Sequence, residues 1–362
     1  MDLEYGPEYQ DFTKEVQSFC KKYKGPEMLE KPIAITPGEP AGIGTEITLK
    51  AWKDKSCPPF FLIDDAERVA TRAKEANLEV PIDIINSPEQ TLECFINALP
   101  ILSHKFPVHC KPGKPEELNA PAVIEAIEIA VNYAKTDLVS AIVTNPIQKE
   151  ILTKEKFQYP GHTEFLAALC GTEVEPVMLL ASNELLVVPV TIHEPLANVT
   201  KILDESLLQR TILIANSALK TDFLINSPRL CVSGLNPHAG ENGTIGLEEE
   251  QIIKPVIESL KNSGLRINGP VSADSMFTKD ARMSYDIAIC MYHDQALIPI
   301  KTLDFWNSVN VTIGLPIVRT SPDHGTALNL AGSGDANADS MITAIKLAHK
   351  IHKNRLASLG FG

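Results

Sequence analysis

Three histidines carry the clearest chemical signal in the chain. His193 follows the apolar run 185–192, His238 follows the run 230–234 across Leu-Asn-Pro, and His293 closes the stretch 286–293 behind Tyr292. Each run reads as a strand buried on both faces, and each stops at polar residues. In open α/β sheets ligands sit outside the carboxyl ends of the strands, so these histidines stand where chemistry usually happens. Three imidazoles are a common protein share of a catalytic zinc site and leave positions open for water or substrate. The separations, 45 residues (193 to 238) and 55 residues (238 to 293), are too wide for a zinc finger or a helical His pair. Only equivalent strand ends would bring the rings together. One such histidine alone is more often hydrogen-bonded filler. Three of them, beside Asn236, Glu241, Asp294 and Gln295, point to a metal whose ligands are oriented by neighbouring carboxylates and amides.

Lys301, Asn310 and Arg319 lie downstream of His293 in a region otherwise poor in positive charge. Arginine offers phosphate a planar fork and lysine a point charge. With the turn Gly161-His162-Thr163 they could hold a phosphorylated substrate, although each cation alone also fits a solvated surface. The stretch 323–337, which includes His324, Gly325 and Asn337, is dense in small and polar residues. It reads as a loop folded around a ligand or as a plain structural loop. The turn 37–44, Pro-Gly-Glu-Pro-Ala-Gly-Ile-Gly, could present backbone N–H groups to an anion, or be only tight. It is neither a Walker loop nor a dinucleotide fingerprint.

The elements that must position these residues alternate along the chain. Strands are expected at 33–36, 60–63 and 138–143, at the three histidine runs, and at 310–313 and 317–319. Helices are expected at 45–53, 65–76, 119–134, 204–219, 247–262 and 338–353, with Asn119 capping the third. Residues 86–118 give a poor periodic signal, and residues 1–31 read as an appended helical arm or a solvated tail. Such alternation implies an α/β fold with mostly parallel sheets covered on both sides. We expect two α/β/α domains, residues 32–145 plus 311–362 and residues 146–310, after an N-terminal extension, 1–31.

Composition narrows the partners. The 362 residues are 44% hydrophobic, enough for a substantial core, and the formal net charge of −13 argues against nucleic acid or an anionic membrane. No apolar run reaches a membrane span, and the first residues lack the blocks of a signal peptide. The cysteines, 7 in all, form no Cys-x-x-Cys pair, as expected of reduced thiols in the cytoplasm.

Several motifs together resemble the 4-hydroxythreonine-4-phosphate dehydrogenase family: 35–44, Gly161-His-Thr-Glu-Phe165, Gly234-Leu-Asn-Pro-His-Ala-Gly-Glu241, Met291-Tyr-His-Asp-Gln295 and Asp323-His-Gly-Thr-Ala327. The resemblance runs from about residue 32 to about 353. It implies a fold like isocitrate and isopropylmalate dehydrogenases, and a homodimer whose active site is shared between subunits. It also implies a divalent metal, often zinc, with magnesium or cobalt as alternatives, and NAD or NADP as oxidant. The implied reaction is oxidation of 4-phosphohydroxy-L-threonine at C3 followed by loss of CO2, in pyridoxal phosphate biosynthesis. Metal ligands would be His193, His238 and His293. Substrate contacts would be His162, Thr163, Lys301, Asn310 and Arg319. His324, Gly325 and Asn337 would touch the cofactor, and Asp274 or Lys301 would be the catalytic base.

Departures from the family pattern bear on the substrate's far end. Glu194 follows the first histidine where leucine is usual, 144–149 reads Thr-Asn-Pro-Ile-Gln-Lys, and 304–307 reads Asp-Phe-Trp-Asn in place of a glycine-rich turn. The alternatives are a sister enzyme acting on 4-phospho-D-threonate or phosphoerythronate, a phosphotransacetylase-like acyltransferase, and a silent binding protein.

Overall fold

The computed structural model describes residues 30–154, 159, 161–171 and 175–360. The expected N-terminal arm or tail therefore lies almost wholly outside the described residues. The sheet is set by period-2 burial. In β1 (Ile33–Thr36) and β2 (Phe60–Asp64) every residue is buried. Ile33, Ile35, Phe60 and Leu62 join one apolar cluster, whereas Ala34, Phe61 and Ile63 join another. Strands apolar on both faces belong in the middle of a covered sheet.

The other strands are β3 (Ile82–Ile85), β4 (Leu99–Ser103), β5 (Ala141–Thr144), β6 (Val177–Ala181), β7 (Leu186–Thr191), β8 (Arg229–Ser233), β9 (Arg266–Val271), β10 (Ile287–Tyr292), β11 (Val309–Ile313) and β12 (Arg319–Pro322). They form one 12-stranded sheet in the order β3-β4-β2-β1-β5-β12-β11-β6-β7-β10-β8-β9. Pairing is parallel except at β12–β11, β11–β6 and β6–β7. The mostly parallel α/β architecture is thus the one expected. The boundaries drawn at 145/146 and 310/311 fall within this one continuous sheet, at the end of β5 and inside β11.

The principal helices are α1 (Gly44–Lys53), α2 (Ala66–Glu75), α3 (Ala120–Lys135), α4 (His162–Cys170), α5 (Leu196–Ile202), α6 (Glu205–Thr221), α7 (Lys254–Asn262), α8 (His293–Leu303) and α9 (Asp339–Ser358). Asn119 does not cap α3 with its side chain. Its amide instead accepts from Val108 N at 3.1 Å and donates to Val108 O at 3.0 Å, pinning the irregular 104–119 segment. The expected 247–262 helix opens with a π-turn, Glu249–Ile253, before α7.

The two faces of the sheet are packed differently. On one, a single cluster runs from Ile33 in β1 to Ile289 in β10. On the other there are two clusters. One gathers Ala34, Phe61 and Ile142 with Phe165 and Leu166 of α4. The second gathers Leu180, Val187 and Cys290 with Ala296 and Ile300 of α8. Between them the sheet turns polar. Asn310 and Thr312 alternate with Val309, Val311 and Ile313 of the continuous cluster, so they face the divided side. Arg319 lies beside Ile142 in the parallel β12–β5 pair and shares that side. No helix among the described residues is long and apolar enough to cross a membrane.

Candidate active site

A cleft of about 390 Å³ occupies this polar gap. Arg319 forms its floor. Only 3% of that residue is exposed, and its guanidinium donates to Thr144 Oγ1 at 2.6 and 3.2 Å and to Thr312 Oγ1 at 2.9 Å, with Asn310 Oδ1 at 3.5 Å. These acceptors are hydroxyls and an amide, none a carboxylate. Burial lowers the Arg319 pKa to about 10, with Glu164 opposing the fall. The group therefore keeps its charge at neutral pH and stands ready for an anion.

The expected substrate residues gather here. His162, Thr163, Lys301, Asn310 and Arg319 all line the cleft. His162 and Thr163 open α4, and Lys301 comes from the last turn of α8. Lys301 Nζ is 2.9 Å from Asp323 Oδ2, which fixes the ammonium over the floor. Burial, with Arg319 and Lys149 adding, drives the His162 pKa well below the usual imidazole range. Its Nε2, like Glu164 Oε2 and His324 Nε2, is buried without a hydrogen-bond partner among the described residues. Lys149, Glu164 and Thr144 also line the cleft, and sequence reasoning gave them no role. Glu164 sits inside the quoted Gly-His-Thr-Glu motif and Thr144 ends an apolar run, so both carried a signal.

The three histidines follow β7, β10 and β8, which are adjacent and parallel in the sheet. His193 and His293 meet, with ring centroids 5.8 Å apart. His293 Nδ1–H donates to Asp294 Oδ1 at 2.7 Å, leaving Nε2 for a ligand. Burial, with Lys149 and His293 adding, lowers the His193 pKa and favours the neutral, ligating form. Glu194 shares the recess around this pair.

His238 does not complete the cluster in one chain. Among the described residues, no group of three or more His, Cys, Asp or Glu stands close enough to hold a metal ion. His238 sits in a strained turn. His238, Ala239, Glu241 and Asn242 have φ of 53°, 53°, 41° and 55°, a left-handed run that costs non-glycine residues about 1–2 kcal/mol each. The run is braced by fully buried Glu249, which accepts from Leu235 N at 2.8 Å, Asn236 N at 2.7 Å and Asn236 Nδ2 at 2.9 Å. His193 also has a positive φ of 53°. Strain of this kind concentrates at functional sites.

The remaining candidates divide. His324 and Gly325 line the cleft, and Asn337 instead accepts from Asp339 N at 2.7 Å at the start of α9. Asp274 is exposed, bound to Ser272 Oγ at 2.5 Å, with His238 nearby; neither lines the cleft of this chain. Four N–H groups of the 37–44 turn are bonded within the protein: Glu39 N on Pro146 O, Ala41 N on Glu39 Oε1, Gly42 N on Glu39 O, and Ile43 N on Thr326 O. It is a packing junction. A Cβ at Gly42 would fall 2.9 Å from Thr326 O, so glycine lets the turn and the 323–337 loop touch. Behind it, Glu46 accepts from Gly332 N at 2.6 Å and Gly334 N at 3.2 Å, and Lys50 Nζ donates to Gly334 O at 2.7 Å and Ala336 O at 2.6 Å.

Residues 55–348 match the family model described as pyridoxal phosphate biosynthetic protein PdxA. A 4-hydroxythreonine-4-phosphate dehydrogenase of Methylorubrum extorquens (strain PA1) is 46% identical over 331 residues, covering 89% of this chain and 95% of the relative. One from Caulobacter vibrioides is 45% identical over 335 residues, 91% of this chain and 99% of the relative. A crystal structure of the Klebsiella pneumoniae 4-hydroxythreonine-4-phosphate dehydrogenase superposes with a TM-score of 0.79 at 33% identity, covering 90% of this chain and 99% of that one.

Proposed function

The chain belongs to the pyridoxal phosphate biosynthetic PdxA family, and on that premise we propose that it is a dehydrogenase of 4-phosphohydroxy-L-threonine. It oxidises C3 with NAD or NADP, and the β-keto acid then loses CO2 to give 3-amino-2-oxopropyl phosphate. The observation that carries this reading is Arg319, a buried cation whose guanidinium bonds two hydroxyls and an amide and, among the described residues, no carboxylate, in a cleft that His193 also lines. Arg319, Lys301 and Asn310 hold the phosphate, and His162 and Thr163 close the other side. Fixing that remote group orients C3, which converts binding energy into rate.

His193 and His293 fit a divalent metal, zinc first. The third ligand, His238, comes from a second copy of the chain in a homodimer. When bound, the metal supplies Lewis-acid polarisation of the C3 oxygen. Asp294 holds the His293 ring in the tautomer that leaves Nε2 available. His324, Gly325 and Asn337 serve the nicotinamide cofactor's side, in the cytoplasm, where the free thiols of Cys57, Cys110, Cys231 and Cys290 stay reduced.

The test is nicotinamide reduction, followed by absorbance, with NAD and NADP, zinc, magnesium and cobalt. The substrates are 4-phosphohydroxy-L-threonine, 4-phospho-D-threonate and phosphoerythronate. Fastest turnover with the amino substrate is expected. Preference for phosphothreonate or phosphoerythronate would move the enzyme to the sister activity, and no reduction in any combination would end the dehydrogenase reading.

A further inference from the structure

The cleft contains a carboxylate that binding of the phosphate leaves unused. Glu164 Oε2 is buried and has no hydrogen-bond partner among the described residues. Burying a polar oxygen without a partner costs about 1–3 kcal/mol, so its place in the cleft calls for a use. The carboxylate is in the first turn of α4, just past His162 and Thr163. A methyl group at Gly161 would fall 3.6 Å from Glu164 Oε2 and 3.4 Å from Lys149 Nζ, so both head groups share one corner. Glu164 and Lys149 line the same cleft as Arg319 and His193, and Glu164 acts electrostatically on both of the latter.

The other proton acceptors at the cleft are poorly suited. Asp323 is occupied by Lys301 and by Ser308 Oγ at 3.1 Å. His162 resists protonation because it is buried beside Arg319 and Lys149. His324 resists it through burial and Lys301. A lysine accepts a proton only after losing one, whereas a carboxylate is ready as it stands.

We propose that Glu164 is the catalytic base for the oxidation, taking the proton of the C3 hydroxyl. This rests on the dehydrogenase reading above and gives the base's role to Glu164 in place of Asp274 or Lys301, the two residues the family resemblance implied. In the step, the O–H bond breaks and its proton goes to a Glu164 oxygen. The C3–H bond breaks with its electron pair, which leaves as hydride to the oxidised nicotinamide dinucleotide. C3–O becomes a carbonyl, so the alcohol is oxidised by two electrons and the nicotinamide is reduced by two.

The experiment compares wild type, Glu164→Gln and Glu164→Ala as full-length, zinc-loaded enzymes with 4-phosphohydroxy-L-threonine and NAD or NADP. Glu164→Gln is expected to lower kcat by about 10²–10⁴-fold, the usual share of a general base, while KM moves by less than about threefold. The acidic limb of the kcat–pH profile should disappear, and added formate should restore part of the Glu164→Ala rate. A purely structural role would give neither effect. Should both variants fail to fold, Glu164→Asp serves: kcat falls more than about tenfold with the acidic limb kept. A kcat within tenfold of wild type in the Gln or Asp variant, or a loss confined to KM, overturns the assignment alone. A wild type that reduces no nicotinamide with any substrate overturns both the reading and the assignment.

Discussion

Replacing Glu249 by glutamine asks whether the left-handed turn carrying His238 is held by one buried carboxylate. Glu249 is fully buried, its Oε1 accepts from two backbone N–H groups at 2.8 and 2.7 Å, and its Oε2 accepts from Asn236 Nδ2 at 2.9 Å. Glutamine keeps the shape and can keep the Oε1 pair. It also sets an NH2 group against Asn236 Nδ2, donor facing donor. Hydrogen bonds to a charged group contribute about 1.5–3 kcal/mol, and an unsatisfied buried donor costs about 1–3 kcal/mol, so a loss of about 2.5–6 kcal/mol is expected. The braced turn has little reserve, because four of its residues other than glycine already sit at positive φ. Once the brace weakens, residues 237–243 can relax toward right-handed backbone and carry His238 out of place. Two measurements check this: the denaturant midpoint of unfolding and zinc retention against a competing chelator. The midpoint should fall, and zinc should bind at least about tenfold more weakly. A variant with the wild-type midpoint and wild-type zinc affinity would refute the reasoning.

Asp294→Ala removes the acceptor that orients His293, and zinc affinity should drop by about 10–100-fold; an unchanged competition curve would count against that bond. Arg319→Lys replaces the fork on Thr144 and Thr312 by a single ammonium. Loss of one charged hydrogen bond, about 1.5–3 kcal/mol, should raise KM for the phosphorylated substrate by about 10–100-fold, and a wild-type KM would take Arg319 out of phosphate binding. For pH, the sign follows from His162, whose folded pKa lies well below the usual value because it is buried beside Arg319 and Lys149. Below about pH 6.5 the unfolded chain takes up a proton that the folded chain refuses. Stability is therefore full above that value and falls as pH drops toward the folded pKa, by up to about 1.4 kcal/mol per pH unit. Unfolding midpoints for wild type and His162→Gln between neutral and mildly acidic pH should diverge in slope, the variant being flatter; parallel slopes would contradict it.

The central strands were legible because burial on both faces leaves unbroken apolar runs, as in β7 and β10. Other elements hid for identifiable reasons. β4 contains Pro100, which weakens any strand reading, and β3 is half exposed. α8 begins on the polar His293 and contains Pro299, so its periodicity is masked. The phosphate-side residues were legible through their motifs, but the convergence of Arg319 on Thr144 depends on a β12–β5 pairing between segments 175 positions apart. The turn of His238 was least legible: its handedness is imposed by Glu249, which local sequence around the histidine does not reveal.

The clasp between α1 and the 323–337 loop has a thermodynamic corollary. Glu46 and Lys50 fasten backbone groups of Gly332, Gly334 and Ala336, so this glycine-bearing strip is ordered when the chain folds. A ligand seated against it meets a preformed wall and loses little affinity to loop ordering. Its association should accordingly be quick, with a heat-capacity change set by the surface it covers and little added by coupled folding.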